Sequence, residues 1–431
     1  MRVLMFGWEF PPHISGGLGT ACHGLTLALR DHADILFVVP KSSGEEDIDV
    51  IDASNVWIAD EEDQEHIVAS EVNAGRFVTI AAGEGLLPYV DTATTARDFQ
   101  WNWEHRSSDV SDPFPAREKR FSFSGGYGTN LLFEVEQYAA VARSIASAYT
   151  FDVIHAHDWL TYPAATAAKS ITGKPMIVHV HSTVFDRAGD AEIDPMVFEI
   201  ELAGMLAADR IIAVSNWTKG LVVSRYGIAD EKVSVVHNGV IPQDVAGFSF
   251  IPKVGEFVVT FLGRITSQKG PAYFIEAARR VVEQFPGAHF ILAGSGDLLP
   301  AMIERVATLG LSSRIHFTGF VRGAQVRQLW SVTDVYVMPS LSEPFGITPL
   351  EAMQSGIPVI VSNQSGVSEV IEHAIKVDFW NTDALASAII NILTYRGLSD
   401  VLRSNSKREV ESITWTRSAK KINSLYHEVT A

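Results

Sequence analysis

The chain has 431 residues, of which 47% are hydrophobic and 20% charged, a composition typical of a soluble globular protein with more than one core. Two or three domains are expected at roughly 150 residues per domain. With 34 Lys and Arg against 51 Asp and Glu, the formal net charge is −17, which argues against nucleic acid or an anionic membrane surface as a partner.

Short apolar runs recur along the chain, each followed by turn residues and a helix-like stretch, as expected for parallel strands with crossover helices. They fall into two series, which predict an α/β protein with two doubly wound, Rossmann-like domains. The first series comprises Val3–Phe6, Ile35–Val39, Val153–Ala156, Met176–Val180, Ile211–Val214 and Val233–Val236. The second comprises Phe257–Leu262, Phe290–Ala293, Ile315–Phe317, Val335–Met338 and Pro358–Val361.

Turn residues and a break in periodicity predict a domain boundary between Asn238 and Gly255. The predicted domains are residues 1–245 and 246–410, and residues 411–431 contain a helix, Trp415–Val429, that packs back on the first domain. Within the first domain, residues 83–128 lack strand patterning and read as a long insertion suited to a binding surface or lid.

Two surface features of the first domain stand out by composition. The stretch from Ser42 to Gly75 holds eleven acidic residues and no Lys or Arg, which is typical of a solvated segment. The insertion carries Trp101 and Trp103, which would suit stacking on sugar rings.

A glycine loop follows the first strand, and Gly16 and Gly17 precede a helix predicted from about Thr20. Adjacent glycines let the backbone approach a ligand closely, and the N–H groups at a helix start attract a phosphate. The alternative that these glycines only make the turn stays open, because the loop does not match the G-x-G-x-x-G spacing of dinucleotide-binding loops.

Histidines end two neighbouring strands, in His155-Ala-His-Asp158-Trp159 and in His179-Val-His181. Ligands of open parallel sheets bind beyond the carboxyl ends of the strands, so we predict a functional role for His181 and a core position for His179. A zinc site is disfavoured, since no carboxylate or cysteine lies at matching spacing.

The second domain begins with a strand that leads into a loop carrying Arg264 and Lys269. A protein this acidic that handles a diphosphate must concentrate positive charge locally, and these two cations follow a strand. The alternative is a solubilising surface loop. Farther along, the glycine turn at Gly294 suits a nucleotide contact or a packing turn equally well.

The strongest signal is the segment from Pro339 to Met353. Thr348 reads as the N-cap of a helix, so its loop would present N–H groups to an anion or to sugar oxygens. Glu343 and Glu351 are predicted to face one pocket. Alternatively, Thr348-x-x-Glu351 is a capping box, which would leave Glu343 unexplained.

Glu343-Pro-Phe-Gly-x4-Glu351 resembles the glutamate–seven residues–glutamate signature of retaining glycosyltransferases with the GT-B architecture, in which two Rossmann-like domains face each other across a cleft. Other motifs, in the same order between Met1 and about Thr414, are similar to those of glycogen and starch synthases. They are Ser15–Gly19, Tyr127–Asn130, His155–Trp159 and Gly263–Gly270.

The resemblance implies transfer of a hexosyl unit, with glucose as the expected sugar, from UDP- or ADP-glucose to a carbohydrate acceptor. It implies retention of the anomeric configuration, no obligatory metal and no cofactor. Arg264 and Lys269 would hold the diphosphate, Glu343 the sugar hydroxyls and Glu351 the ribose, while His181 would lie near the anomeric carbon. The other implied donor contacts are Gly16, Gly17, Gly294, Phe345, Gly346, Ile347 and Thr348, and the acceptor-side residues are Asp158, Tyr127 and Asn130.

Within this reading, no residue suggests itself as a covalent nucleophile, so front-face substitution is preferred over the double displacement of two-carboxylate hydrolases. Glycogen synthases carry a lysine-threonine pair before the glycine loop, whereas this chain has His13-Ile-Ser15. An alternative is therefore a family-four transferase that acts on a small sugar or on a lipid or surface glycan.

Three further functions are weighed and ranked lower. A glucan phosphorylase would need a lysine motif for pyridoxal phosphate, which the sequence does not offer. A sensor with a dead site conflicts with the presence of both cations and both glutamates. A metal-dependent transferase would have to use Asp47 and Asp49, which lie inside the acidic run.

A single cysteine, Cys22, excludes an intramolecular disulfide and favours a reducing compartment. No stretch approaches the ~20 continuous apolar residues that a membrane span needs, and the first residues do not form a signal sequence. We therefore expect a cytoplasmic protein without stable membrane insertion, and its oligomeric state stays open.

Overall fold

The computed structural model describes residues 1–12, 14, 16–42, 46, 50–53, 56, 121–189, 191–242 and 252–431. Most of the acidic Ser42–Gly75 segment, with Asp47 and Asp49, lies outside the described residues. So do His13, Ser15 and residues 83–120 of the predicted insertion, which include Trp101 and Trp103.

The first sheet has seven strands in the order β3-β2-β1-β4-β5-β6-β7, and the pairing from β3 to β5 is parallel. The strands are β1 (Arg2–Phe6), β2 (Asp34–Val39), β3 (Val50–Asp52), β4 (Val153–His157), β5 (Met176–Val180), β6 (Arg210–Ala213) and β7 (Val233–Val235). The helices between them are α1 (Gly17–Leu29), α2 (Leu131–Ala148), α3 (Tyr162–Thr172), α4 (Val184–Ala188), α5 (Pro195–Ala207) and α6 (Asn216–Tyr226).

The second sheet has six strands in the order β10-β9-β8-β11-β12-β13, all parallel. The strands are β8 (Phe257–Leu262), β9 (Ala288–Ala293), β10 (Ile315–Gly319), β11 (Val335–Met338), β12 (Val359–Ser362) and β13 (Ile375–Val377). Its helices are α7 (Pro271–Gln284), α8 (Leu299–Thr308), α9 (Ala324–Val332), α10 (Thr348–Gln354), α11 (Thr382–Thr394) and α12 (Arg396–Val410), followed by α13 (Trp415–Thr430).

The chain divides into two compact units. Unit 1 comprises residues 1–180, 194–212 and 422–431, and unit 2 comprises residues 181–193 and 213–421. The last turns of α13 therefore belong to unit 1, where Tyr426 is fully buried. Each unit is described separately below.

All eleven predicted strands are confirmed, and their ends differ from the prediction by at most two residues. In β1, β4, β5 and β8 the interior positions are buried on both faces, which explains why these strands appear in the sequence as continuous apolar runs rather than as alternating patterns. The sequence analysis missed β3 and β13, three-residue strands at the sheet edges that each contain a charged residue and so lack the continuous apolar run by which the other strands were recognised. The first helix begins at Gly17, three residues before its predicted start.

Aromatic packing supports the second sheet from one face. The rings of Phe261 and Phe290 lie 5.8 and 5.7 Å from that of Phe274 on α7, and all three side chains are buried. This packing holds α7 against β8 and β9, and so fixes the position of the loop between β8 and α7.

Within the described part of the chain, no helix combines the length and the apolar character that crossing a membrane requires.

Candidate active site

Two strand-exit loops of unit 2 meet through an ion pair between Lys269 and Glu343. The Glu343 side chain is 8% exposed and that of Lys269 is 20% exposed, so the pair is largely shielded from water. Ser340 Oγ donates a further hydrogen bond to Glu343 Oε2 at 3.3 Å. The structure thus brings together two residues that the sequence separates by 74 positions.

A glycine makes this approach of the two loops possible. Gly270 has φ of +67°, and a Cβ atom at this position would lie 2.1 Å from the carbonyl oxygen of Pro339. Any larger residue would push the Lys269 loop away from the Glu343 loop, so the glycine at this position is required by geometry.

Arg264 is held by Gln268, a residue that the sequence analysis did not single out. Arg264 Nη2 donates to Gln268 Oε1 at 2.8 Å, and Gln268 Nε2 donates to the carbonyl oxygen of Ser342 at 3.0 Å. Gln268 is 3% exposed, and its own carbonyl accepts from the Leu341 N–H at 2.9 Å. The guanidinium is therefore positioned by a buried amide that is itself bonded at both ends.

Backbone hydrogen bonds clamp the segment that carries Glu343 and Phe345. The Glu343 N–H donates to the Gln364 carbonyl at 2.9 Å, and the Glu343 carbonyl accepts from the Gly366 N–H at 2.9 Å. The Phe345 carbonyl accepts from the Val367 N–H at 2.7 Å, and the Phe345 ring is 2% exposed. The loop after β11 is thus fixed by the loop after β12.

The start of α10 differs from its prediction. Ile347 is the N-cap, Thr348 is the first helical residue, and no side chain caps the helix. The predicted capping box with Glu351 does not form, because Thr348 lies one position too far along and its hydroxyl hydrogen-bonds Tyr336 instead. The preceding Gly346 has φ of +96°, a value that glycine adopts without strain.

The charges of Glu343 and Glu351 both influence the pKa of Tyr336, a fully buried tyrosine on β11. Burial raises the pKa of the Tyr336 phenol well above its ordinary value, and the charges of the two glutamates raise it further. Burial also raises the pKa of Glu351 to about 7. Both carboxylates are therefore close enough to Tyr336 to affect its phenol, and Glu351 titrates near neutral pH. That the two glutamates face one pocket stays a prediction.

The raised pKa of Glu351 predicts a pH effect on stability. A carboxyl with pKa near 4.3 in the unfolded chain and about 7 in the native state is protonated more in the native state between these values. Unfolding free energy is therefore lost as pH rises toward 7 and stays lost above it. We expect Glu351→Gln to remove this loss, so that the difference in melting temperature between variant and wild type grows from pH 5 to pH 8. Parallel melting curves across this range would contradict the assignment.

Two glycines join the loop after β9 to the loop after β8. A Cβ at Gly294, whose φ is +145°, would lie 1.8 Å from the Gly263 carbonyl oxygen, and one at Gly296 would lie 2.4 Å from that of Ile265. The Ile265 N–H donates to the Ser295 carbonyl at 2.8 Å. Close packing is thus a sufficient reason for glycine at 294, and a donor contact there stays a prediction.

His181 directly follows β5 and belongs to unit 2. Burial lowers its pKa to about 3, so its imidazole is neutral at physiological pH. The segment that follows it is anchored to the Glu343 loop, since Ser342 Oγ donates to Asp186 and accepts from Trp217 Nε1 at 3.0 Å. Asp186 in turn forms a capping box with Thr183 at the start of α4.

In unit 1, Gly16 and Gly17 are exposed at the start of α1. Among the described residues, no atom would lie within 4 Å of a Cβ built at either position, and Gly16 has an extended φ of −169°. Neither packing nor backbone conformation requires glycine here. By contrast, Gly19 is held by its N–H donating to buried Glu9 at 3.1 Å.

Asp158 has a strained backbone at the carboxyl end of β4. Its φ of 65° and ψ of 167° fall in a region that is essentially restricted to glycine, and no other non-glycine residue of the described chain has positive φ. Hydrogen bonds impose this conformation: its N–H donates to the His179 carbonyl at 2.9 Å, and its carbonyl accepts from the Thr161 N–H at 3.0 Å. Such strain costs about 1–3 kcal/mol and clusters at functional sites.

We expect the Asp158→Gly variant to be at least as stable as the wild type, because glycine removes the backbone strain. If the Asp158 carboxylate serves the acceptor side, the same variant should lose activity about tenfold or more. Equilibrium urea unfolding and initial rates at varied acceptor concentration measure the two effects. Asp158→Asn, which keeps the side-chain shape, is the matched control. A glycine variant with wild-type rates would remove Asp158 from the site.

Three histidines lie buried at the ends of β4 and β5, and His179 occupies the predicted core position with 1% exposure. A ring nitrogen of each of His155, His157 and His179 lies within 4.8 Å of the others, and His155 Nδ1 is 2.5 Å from the Tyr426 hydroxyl. The ring planes lie within 34° of one another, so the imidazoles pack side by side. That no metal binds stays a prediction.

The two remaining predicted acceptor-side residues, Tyr127 and Asn130, lie just before α2. Tyr127 is 8% exposed, and Asn130 is the exposed N-cap, without a capping side-chain bond. The segment before them is attached to β1 through Trp8 Nε1, which donates to the Gly126 carbonyl at 3.3 Å.

Comparison with known proteins finds two family matches that cover consecutive parts of the chain. Residues 110–244 match the model of Glycosyltransferase Family 4, and residues 248–409 match that of Glycosyl transferases group 1. An uncharacterized glycosyltransferase of Methanocaldococcus jannaschii is 27% identical over 444 residues, covering 99% of this chain and 98% of that protein. A glycogen synthase of Mycobacterium tuberculosis is 25% identical over 377 residues, covering 86% of this chain and 80% of that protein.

A similar fold is found in sucrose-phosphate synthase from Thermosynechococcus elongatus. The TM-score is 0.69 at 20% sequence identity, and the match covers 99% of this chain and 98% of that one.

Proposed function

Because the chain belongs to the GT-B glycosyltransferases of the glycogen synthase-like and family-four group, we propose that it transfers a hexosyl unit, glucose in the leading form, from a nucleoside diphosphate sugar to an acceptor glycan with retention of configuration. The observation that carries this proposal is the anchored pair of cations, Arg264 and Lys269, in one strand-exit loop of a strongly acidic protein.

The two cations match the charge that develops during transfer. Breaking the bond between the anomeric carbon and the diphosphate leaves negative charge on the departing phosphate oxygens. Preorganised donors aimed at such a charge contribute on the order of 3 kcal/mol each to transition-state stabilisation. Arg264 is preorganised by Gln268, and Lys269 by Glu343.

Glu343 serves two partners in this proposal. Before the donor binds, its carboxylate holds Lys269 and keeps the ammonium group from leaving the loop. When the donor binds, the diphosphate shares Lys269, and the carboxylate oxygens accept hydrogen bonds from hydroxyls of the transferred sugar. Glu351, which titrates near neutrality, accepts from the ribose hydroxyls once it is ionised.

Retention follows from front-face substitution. The acceptor oxygen bonds the anomeric carbon on the face that the diphosphate leaves, and the proton of the acceptor hydroxyl passes to the departing phosphate oxygen. His181 is neutral at the working pH, so it contributes a hydrogen bond near the sugar rather than a charge. Since two side-chain cations neutralise the diphosphate, the proposal needs no metal ion.

The donor base and the acceptor are resolved by one screen. UDP-glucose and ADP-glucose are crossed with glycogen, short maltooligosaccharides, simple sugars and a lipid-linked sugar, in excess EDTA and in excess Mg²⁺, and the product anomer is read by NMR. Transfer that yields an α-linked product from an α-linked donor in EDTA is the expected result. A β-linked product would overturn retention. Strict dependence on a divalent metal ion would overturn the role assigned to the two cations. Transfer only to lipid-linked or simple sugars would establish the family-four alternative.

A further inference from the structure

Three aromatic side chains form a cluster in unit 2 that none of the assignments above uses. The ring of Phe379 lies 5.2 Å from that of Tyr273 and 4.8 Å from that of Trp380, and the rings meet edge to face in both pairs. The outermost ring is that of Trp380, which is 57% exposed. We call Tyr273, Phe379 and Trp380 the aromatic platform. Unlike the exposed rings of Phe320 and Tyr395, that of Trp380 belongs to a cluster of three packed aromatic rings, which offers a ligand an amphipathic aromatic surface.

The aromatic platform lies on the same sheet edge as the candidate site. All six strands of the second sheet are parallel, so Glu343 after β11, Gln364 after β12 and Trp380 after β13 follow the carboxyl ends of three adjacent strands. Neighbouring strands are about 4.8 Å apart, so the carboxyl ends of β11 and β13 lie roughly 10 Å apart along this edge. Tyr273 lies in the first turn of α7, which begins just after Lys269.

A polar group borders the aromatic platform and joins it to the candidate site. Asp378 accepts hydrogen bonds from Asn363 Nδ2 at 2.9 Å and from Gln364 Nε2 at 3.1 Å. These two bonds hold the pKa of the Asp378 carboxyl below its ordinary value. The Gln364 carbonyl accepts the N–H of Glu343, so one residue contacts both the Glu343 loop and the border of the platform.

We propose that the aromatic platform binds a pyranose ring of an extended glycan, with Trp380 stacked on the ring face and Asp378 accepting its hydroxyls. A pyranose has apolar C–H faces and a rim of O–H donors, which match an exposed indole beside an ionised carboxylate. Because the loops after β11 and β13 lie on one edge of the sheet, a chain with its end at the candidate site would extend along this edge toward the platform. This inference deepens the proposed function: it names an oligosaccharide or polysaccharide as acceptor, and it depends on transfer to a glycan.

The charge and the size of the platform disfavour ligands other than a sugar ring. Asp378, which directly precedes Phe379 in the chain, is an ionised carboxylate beside the platform, and its charge disfavours phosphate-bearing ligands and anionic lipid surfaces. Three rings, of which only Trp380 is mostly exposed, make a small apolar surface compared with a stable protein interface of about 800 Å² per partner. A single sugar ring fits this size.

Binding is tested without turnover, by electrophoresis of the full chain through native gels that contain glycogen, soluble starch or dextran. At least one of these glycans should retard the wild type. The Trp380→Ala variant should migrate as it does in a gel without polymer, because its affinity for the glycan falls about tenfold or more. The control variants Phe320→Ala and Tyr395→Ala remove other exposed aromatics, 55% and 61% exposed, and should be retarded like the wild type. An unretarded wild type, or a Trp380→Ala variant retarded as strongly as the wild type, would overturn the proposal.

Kinetics and oligomeric state separate this inference from the proposed function. If both hold, Trp380→Ala raises KM about tenfold for glycogen and long maltooligosaccharides and leaves KM for the sugar nucleotide and for maltose unchanged. If glycans retard the protein only when Trp380 is present, but the protein transfers no sugar, the proposed function is refuted and glycan binding at the platform is still supported. A change in oligomeric state on Trp380→Ala, measured by light scattering, without loss of glycan binding would show that the platform is a contact between copies and would overturn the inference.

Discussion

Replacing Lys269 with alanine should lower kcat by about two orders of magnitude or more, because the variant has lost a preorganised cation at the point where the departing diphosphate gains charge. Since this interaction strengthens in the transition state, kcat should fall more than the donor KM rises. Lys269→Arg, which keeps a cation, should recover part of the rate. Rates are measured with the donor that the screen identifies, at saturating acceptor.

The ion pair with Glu343 complicates this variant in a way that can be controlled. Alanine at 269 leaves the Glu343 carboxylate, 8% exposed, without its cation, and breaking a buried pair in this way costs about 3–5 kcal/mol of stability. The double variant Lys269→Ala/Glu343→Gln removes that charge and should regain much of the unfolding free energy without regaining activity. Full activity in the double variant would refute a role for both residues in transfer.

A matched lysine in the same unit tests whether the effect is local. Lys253 also forms an ion pair, with Asp334 at 2.7 Å, and this pair lies near the amino end of β8 rather than at the carboxyl edge. Lys253→Ala should change stability by at most about 1 kcal/mol, as exposed pairs do, and leave kcat unchanged. Arg264→Ala should resemble Lys269→Ala in its effect on kcat.

A second large effect on stability is expected at Gly294. An alanine there would place its Cβ 1.8 Å from the Gly263 carbonyl oxygen and would adopt φ of +145°, so the loops after β8 and β9 must separate. Backbone strain and the lost packing together should lower the unfolding free energy by about 3 kcal/mol or more. Equilibrium urea unfolding of wild type and variant measures the difference, with unchanged m-values as evidence of a common unfolding reaction.

Gly310 provides the control for this prediction. It also has positive φ, +69°, but no described atom would lie within 4 Å of its Cβ. Gly310→Ala therefore reports backbone strain alone and should cost about 1 kcal/mol. If Gly294→Ala unfolds like Gly310→Ala but loses donor affinity, the glycine serves the ligand rather than the packing, and the donor contact implied for Gly294 would be supported.

Several features of this protein could be read from the sequence without any coordinates. Strands such as Val3–Phe6 and Met176–Val180 are buried on both faces, so they are apolar throughout and visible locally. The residues that follow strand ends, among them Lys269 and Glu343, could be selected because parallel sheets expose their carboxyl ends to ligands. The family resemblance depends on the same local segments, whose motifs are contiguous in the chain.

Other features depended on contacts between distant residues and were invisible in the sequence. Gln268 is a neutral amide in a loop, and its role in holding Arg264 arises only where the Ser342 carbonyl reaches it. Thr348 matched a capping box by spacing, but the neighbouring Tyr336 takes its hydroxyl and the helix begins one residue earlier. The strained φ of Asp158 likewise follows from a hydrogen bond to the next strand.

The sequence by itself therefore determined the class of fold and the residue types at the strand ends, because burial and turn chemistry act on neighbouring residues and leave a local pattern. Only the tertiary structure decided which side chains pair, that Lys269 meets Glu343, and that Tyr273, Phe379 and Trp380 share one surface. These contacts join loops that follow different strands, and their partners are set by strand order in the sheet, which no local pattern encodes.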